Sequence, residues 1–346
     1  MKDVRESGFE LLRILAMLGV MALHAGFYGD VPAVSESEGW LVPWFRCIMH
    51  AFEVVSVNVF VLISGYFGIR TRVRGVLNFA WQIVFWRVVA VLMLAVFWSA
   101  SPSTMTSYVP WMGLDVESIG FSFGGWFVGA YLGLMLIAPV LNAYAESCET
   151  KRLGLYVLLF LAVEVVCDWL LPSLNFFKGG YTPFAFIGLY LGGRYLKRND
   201  AVDVSCRVAG LLFLAVAISA GTAMAIAVVF GGSMPILRNR LMYAAYGYTS
   251  PTTLACSFLS IMYFKHVRFT SRIVNWLAAS AFGTYLFHGS LPFFKRSAVW
   301  IYQNHSGVLA VVVTIGLIVG TYVLSVLVDQ IRRAVWDAGE KVCSRS

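Results

Sequence analysis

Arg13 and His24 stand at the two ends of a run of ten consecutive apolar residues. An imidazole, with an ordinary pKa near 6.5, can take a proton from a weakly acidic hydroxyl near neutral pH, a service worth about 10²–10⁴-fold in rate. A guanidinium is a permanent cation whose planar fork of donors suits phosphate and carboxylate. At about 100° per residue, eleven helical steps return to within roughly 20° of the starting direction. The two side chains therefore share one helix face, about 16 Å apart. Glu10 falls within about 60° of both, so one acidic-basic stripe runs along an otherwise apolar helix. A charged side chain near the middle of a bilayer costs about 2.5–3.5 kcal/mol, so such groups usually face a bundle interior or a wet cavity.

The elements that must hold this stripe follow from composition. The chain has 346 residues, 59% hydrophobic and 13% charged. Its mean hydropathy is +0.76. A soluble domain carries about 25% charged residues, so the expected fold is an all-α integral membrane bundle. Apolar runs of span length lie near 9–28, 44–67, 77–100, 122–145, 154–172, 181–196, 208–230, 244–264, 275–294 and 307–329, giving about ten transmembrane helices. The sixth is short and contains Pro183. The N-terminal run is read as a span and not a cleaved leader, since no small-x-small site follows it. With both termini cytoplasmic, most of the 26 Lys and Arg fall on the inner side, as the positive-inside tendency requires. Trp40, Trp44, Trp98, Trp111 and Trp126 then mark an outer aromatic belt. No loop is long enough for a separate soluble domain, and residues 1–346 are read as one transmembrane domain. Gly120/Gly124, Gly129/Gly133, Gly188/Gly192 and Gly316/Gly320 have the spacing of close helix contacts.

Further polar groups interrupt the later spans. His50, Glu53 and Ser64 lie within about 60° of one another on the second run. Ser280, Thr284 and His288 follow an i, i+4, i+8 line on the ninth. Two such seams suggest a polar path across much of the bilayer. The simpler reading of each group is a hydrogen bond to a neighbouring helix, or, for Glu10, a pair with Arg13. The six cysteines form no Cys-x-x-Cys pair and no Cys/His cluster, so no metal is expected and they read as small apolar fillers. No phosphate-binding or dinucleotide glycine motif occurs. That leaves a nucleotide-driven pump or a dinucleotide enzyme without support.

Arg13-x10-His24 in a first span, with Glu10 three residues before the arginine, resembles the membrane acyltransferase 3 family. Asn58-Val-Phe-Val-Leu-Ile-Ser64-Gly65-Tyr66, Trp126-Phe-Val-Gly-Ala-Tyr131 with Pro139, Tyr181-Thr-Pro-Phe184 through Gly192, and Ser280 to His288 resemble further stretches of that family, in order. Val61 departs from the family's second aromatic, and Tyr285 lies five residues after Ser280 where the pattern has four. The resemblance implies a ten-helix enzyme of a bacterial plasma membrane. It would move an acyl group, acetyl above all, from cytoplasmic acyl-CoA to a hydroxyl of an extracytoplasmic or lipid-linked glycan. It implies that His24 is catalytic and Arg13 its essential partner. On this reading His24 is the general base, with His50 or Glu53 orienting it. Ser64, Tyr66, Ser280 and His288 would line the channel or polarise the carbonyl. Arg13 with Arg70, Arg72, Arg74, Arg194, Lys197 and Arg198 would hold the coenzyme phosphates, although positive-inside topology alone also produces those clusters. The expected partners are membrane lipid and a saccharide acceptor, with no nucleic acid; oligomeric state and acceptor identity stay open. A transporter or flippase, using the same polar groups as a path without acyl chemistry, is the competing class.

Overall fold

The computed structural model describes residues 6–26, 41–100, 125–171, 174–199, 204–230, 247–290 and 292–343. In chain order the helices are α1 (Gly8–His24), α2 (Leu41–Glu53), α3 (Val55–Phe67), α4 (Val73–Ala100), α5 (Trp126–Ser147), α6 (Thr150–Val165), α7 (Pro183–Arg198), α8 (Cys206–Phe230), α9 (Pro251–Lys265), α10 (Arg272–Ala278), α11 (Ala281–Ser290), α12 (Pro292–Asn304) and α13 (Gly307–Cys343). α6 runs on into a π-helical turn, Val166–Leu170. No β-strand occurs among the described residues.

Six of these elements are long and apolar enough to cross a membrane: α2 with α3, α4, α5, α6 with its π turn, α8 and α13. Many large apolar side chains point outward from them, among them Leu92, Leu136, Leu158 and Leu211. Exposure on that scale suits a hydrocarbon solvent and not water. The remaining expected spans are divided or short. α1, α7 and α9 have 17, 16 and 15 residues, against the ~20 that a full crossing needs. The ninth run breaks at Ala279 and Ser280 into α10 and α11. The second breaks at Val54. The tenth is the start of a 37-residue helix that continues to Cys343.

Local chemistry explains several of these ends. Thr182, Ser250 and Ser271 cap α7, α9 and α10 by accepting from the backbone N–H three residues on. Pro183 and Pro251 sit in the first turn, where a missing N–H costs nothing. Pro183 therefore starts α7 and does not break a span. Pro139 lies inside α5 and frees the carbonyl of Met135 four residues earlier. The Thr71 hydroxyl takes that carbonyl at 2.7 Å, so the helix passes through unbroken.

α3 and α7 form the tightest crossing at the centre. A Cβ on Gly193 would stand 2.3 Å from the Leu62 carbonyl oxygen, and one on Gly65 would stand 2.1 Å from that of Tyr190. Only glycine permits the two backbones to approach so closely. Gly133 and Gly188 are likewise in contact, with Pro183 and Phe160 respectively. The expectation fails for Gly316 and Gly320, which face open space on α13. Gly120 and Gly124 lie outside the described residues, as do Trp40 and Trp111.

Candidate active site

α1 places its two ionisable ends in different surroundings. At the His24 end, Nδ1 lies 2.8 Å from Nε2 of His288, and the rings meet edge to edge with centroids 5.1 Å apart and planes 27° off parallel. His288 is buried at the end of α11, its Nδ1 2.9 Å from the Thr284 carbonyl. A carbonyl can only accept, so Nδ1 of His288 carries the proton. Its Nε2 is then a lone pair, and Nδ1 of His24 must donate to it. That fixes the neutral tautomer of His24 with its free lone pair on Nε2. The His24 side chain is exposed while its partner is enclosed by Tyr285 and Phe294. Lys295 of α12 stands within electrostatic reach of His24.

At the other end, Arg13 pairs with Glu10 one turn earlier on α1. Its guanidinium carbon sits 5.5 Å above the ring of Phe67. The Tyr131 hydroxyl is within its electrostatic reach and lies 3.0 Å from Ser64 Oγ, which in turn donates to the Phe60 carbonyl at 2.8 Å. Tyr66 is turned away, its ring under Lys197 Nζ at 4.9 Å and against Phe9. Arg194 pairs with Glu146 at 3.2 Å, Arg74 with Glu340, and Arg198 donates to the Ala145 carbonyl. Arg70 and Arg72 are exposed, with no ion pair among the described residues. The inner cationic set of the sequence reading thus gathers at the Arg13 end, where these two have their guanidinium groups free.

Between the two ends the structure corrects one expectation. The residues in line from Arg13 to His24 are Met17 and Val20, with Met21 beside them. They are 1%, 4% and 0% exposed. Packed thioether and aliphatic groups fill the strip where a hydrated path was expected.

The polar seam on α11 also divides. Only His288 reaches α1. Ser280 donates to Asp329 Oδ2 at 2.9 Å and Thr284 meets Ser325 Oγ at 2.6 Å, both on α13. Asp329 is fully buried and accepts from Arg332 Nε at 2.6 Å and Arg333 Nε at 2.9 Å; Arg333 Nη2 also reaches Ser280 Oγ at 3.0 Å. This network ties α11 to α13 one turn below the residue whose carbonyl holds His288. Sequence reasoning missed Asp329, although an acid followed by arginines at i+3 and i+4 at the end of an apolar run carries the signal. His50 is buried on α2, and Glu53 and Arg46 each lie within electrostatic reach of Tyr302 of α12. Neither is a hydrogen-bond partner of His24. Among the described residues, no three His, Cys, Asp or Glu side chains converge as a metal site would require.

A helical protein with at least six membrane-length helices and a paired histidine at one end of its first helix belongs to the class of polytopic membrane proteins built around intramembrane polar groups. The particular family follows from comparison with known families. A family model described as an acyltransferase domain matches residues 6–329, and the chain belongs to this acyltransferase 3 family. No curated protein and no solved structure matches the chain.

Proposed function

We propose that this chain moves an acyl group, most simply acetyl, from cytoplasmic acyl-CoA to a hydroxyl of an extracytoplasmic or lipid-linked glycan, with His24 as general base. The observation that carries this reading is the His24–His288 hydrogen bond in a member of an acyltransferase family. The bond occupies Nδ1 of His24 and leaves its basic nitrogen on the opposite edge of the ring, free to take a proton from an incoming hydroxyl.

In the proposed reaction, Nε2 of His24 takes the hydroxyl proton as the sugar oxygen attacks the thioester carbonyl. The C–S bond then breaks, and the departing thiolate takes that proton from Nε2. The positive charge that builds on His24 is relieved through its Nδ1–H, which His288 accepts. His288 is a positioning residue: it fixes the tautomer and steadies the imidazolium. No external oxidant or metal is needed to balance these steps.

In this scheme the bundle spans a plasma membrane about ten times with both termini cytoplasmic, and residues 1–346 form a single transmembrane domain. The Arg13 end faces the cytoplasm. Arg70 and Arg72, free of ion pairs, take the coenzyme phosphates there, with Arg13, Arg74, Arg194, Lys197 and Arg198 adding to the local positive field. The pantetheine arm then runs along α1 toward His24. Met17 and Met21 must repack to admit it, and unbranched thioethers are the apolar side chains best able to do so. The family match favours this acyl-transfer reading over a transporter that uses the same polar groups. The test is release of free CoA thiol from acetyl-CoA by the purified chain, with and without glycan acceptors. Acceptor-dependent release supports the proposal; substrate movement into vesicles without any acyl donor would oppose it.

A further inference from the structure

Glu164 and Asp168 are the least explained buried groups in the chain. Both lie in the membrane-length helix formed by α6 and its π turn, and they are 1% and 7% exposed. Among the described residues, Glu164 Oε2 and Asp168 Oδ2 have no hydrogen-bond partner. A buried carboxylate oxygen without a partner is costly, and π turns inside helices recur at functional sites. Asp168 does accept from the Thr249 hydroxyl and the Gly179 N–H, which fixes it against two connecting segments.

Those same segments carry a second feature. Tyr248 precedes Thr249, and Tyr181 follows Gly179 by two residues. Their rings lie 5.3 Å apart, their hydroxyls hydrogen-bond, and both pack on Trp126 at the start of α5, at 5.7 Å and 4.3 Å. Tyr181 is 47% exposed. Ring contacts, in part buried, link this cluster to the histidine pair. Phe127, next to Trp126, lies 5.3 Å from Tyr285, whose ring lies 5.7 Å from His288.

We infer that Trp126, Tyr181 and Tyr248, backed by Asp168 and Glu164, form a subsite that holds one pyranose ring of a saccharide. A pyranose has an apolar C–H face and a rim of hydroxyl donors. Amphipathic aromatic rings suit the first, and the tyrosine hydroxyls suit the second, while the enclosed Asp168 carboxylate fixes the Thr249 and Gly179 segments that carry the two tyrosines. Continuity with Tyr285 and His288 directs a bound sugar toward His24. This inference rests on the acyl-transfer reading for its purpose but not for the binding itself.

The experiment uses the purified full chain in lipid nanodiscs and saturation-transfer NMR. The probes are the methyl pyranosides of glucose, galactose, mannose, rhamnose and N-acetylglucosamine. At least one should bind the wild-type protein, with saturation concentrated on one ring face. Tyr181→Ala and Asp168→Asn should each weaken that binding roughly tenfold, as loss of one stacking face, or of the carboxylate that fixes the Tyr181 and Tyr248 segments, implies. Tyr181→Phe should retain most of it. No binding by any of the five, or binding unchanged in both disruptive variants, would overturn the inference. Acetyl-CoA turnover is followed in parallel. Sugar binding without acyl transfer would remove the transferase reading and leave the subsite. Acyl transfer with an unchanged acceptor KM in both variants would do the reverse.

Discussion

His24 and His288, 264 positions apart in the chain, share a hydrogen bond of 2.8 Å with their ring planes 27° off parallel. One residue ends α1 and the other lies in the last turn of α11. Because the Thr284 carbonyl accepts from Nδ1–H of His288, the pair has a direction: His24 donates to His288 through Nδ1 and keeps its lone pair on Nε2. The predictions below follow from that direction and from what holds each helix in place.

Removing His288 should impair turnover without weakening substrate binding. His288→Ala leaves Nδ1 of His24 without an acceptor and frees the ring to change tautomer. We expect kcat to fall about 10²-fold, within the range of general-base catalysis, with both KM values little changed. His288→Gln, whose amide oxygen can still accept, should recover part of the loss. Steady-state kinetics of CoA release separates the cases.

Arg70 and Arg72 should govern donor affinity. Replacing both with alanine should raise the KM for acyl-CoA about tenfold or more and flatten its dependence on ionic strength, with little change in kcat. Titrations of donor at low and high salt would show this.

The filled strip on α1 should act as a gate. Met17→Phe places a bulkier and stiffer group beside Val20, in a position that is already closed. Acyl transfer should fall sharply while the protein stays folded, and Met17→Leu, which conserves volume though it is stiffer, should cost much less. Equal activity in both would mean that the donor takes another route.

Asp329 should matter more for stability than for chemistry. Asp329→Ala would leave the buried Arg332 without its counter-charge. Breaking one partner of a buried pair costs about 3–5 kcal/mol, which should lower the thermal midpoint in detergent by several degrees. A variant as stable as wild type would show that the network carries no net weight.

The candidate site was legible in the sequence where one helix face carries the message. Arg13 and His24 are read from a single periodicity, and the structure keeps both on α1 with Glu10 closing on Arg13. The line Ser280, Thr284, His288 was read as one seam. It splits because a helix face is wide enough to touch two neighbours: Ser280 and Thr284 meet α13, and His288 meets α1. Periodicity reports which residues share a face and not which helix that face meets. Asp329 was passed over because Arg332 and Arg333 read as an inner flank and not as partners of a buried acid. The breaks at Val54 and at Ala279–Ser280 carry no proline or glycine, so the apolar runs there looked continuous. Tertiary packing sets both, and hydropathy does not record it. The packed strip between Arg13 and His24 was equally out of reach, since a polar stripe indicates where charge lies and not what fills the space between.

The most direct test of the account is acyl-CoA consumption by His24→Ala, purified as the full chain and confirmed folded by its thermal transition. With acetyl-CoA and a saccharide acceptor that the wild-type protein turns over, the account predicts a loss of at least about 10²-fold in free thiol release. Turnover within about threefold of wild type would contradict it, because no general base whose removal is worth so little could be at work there.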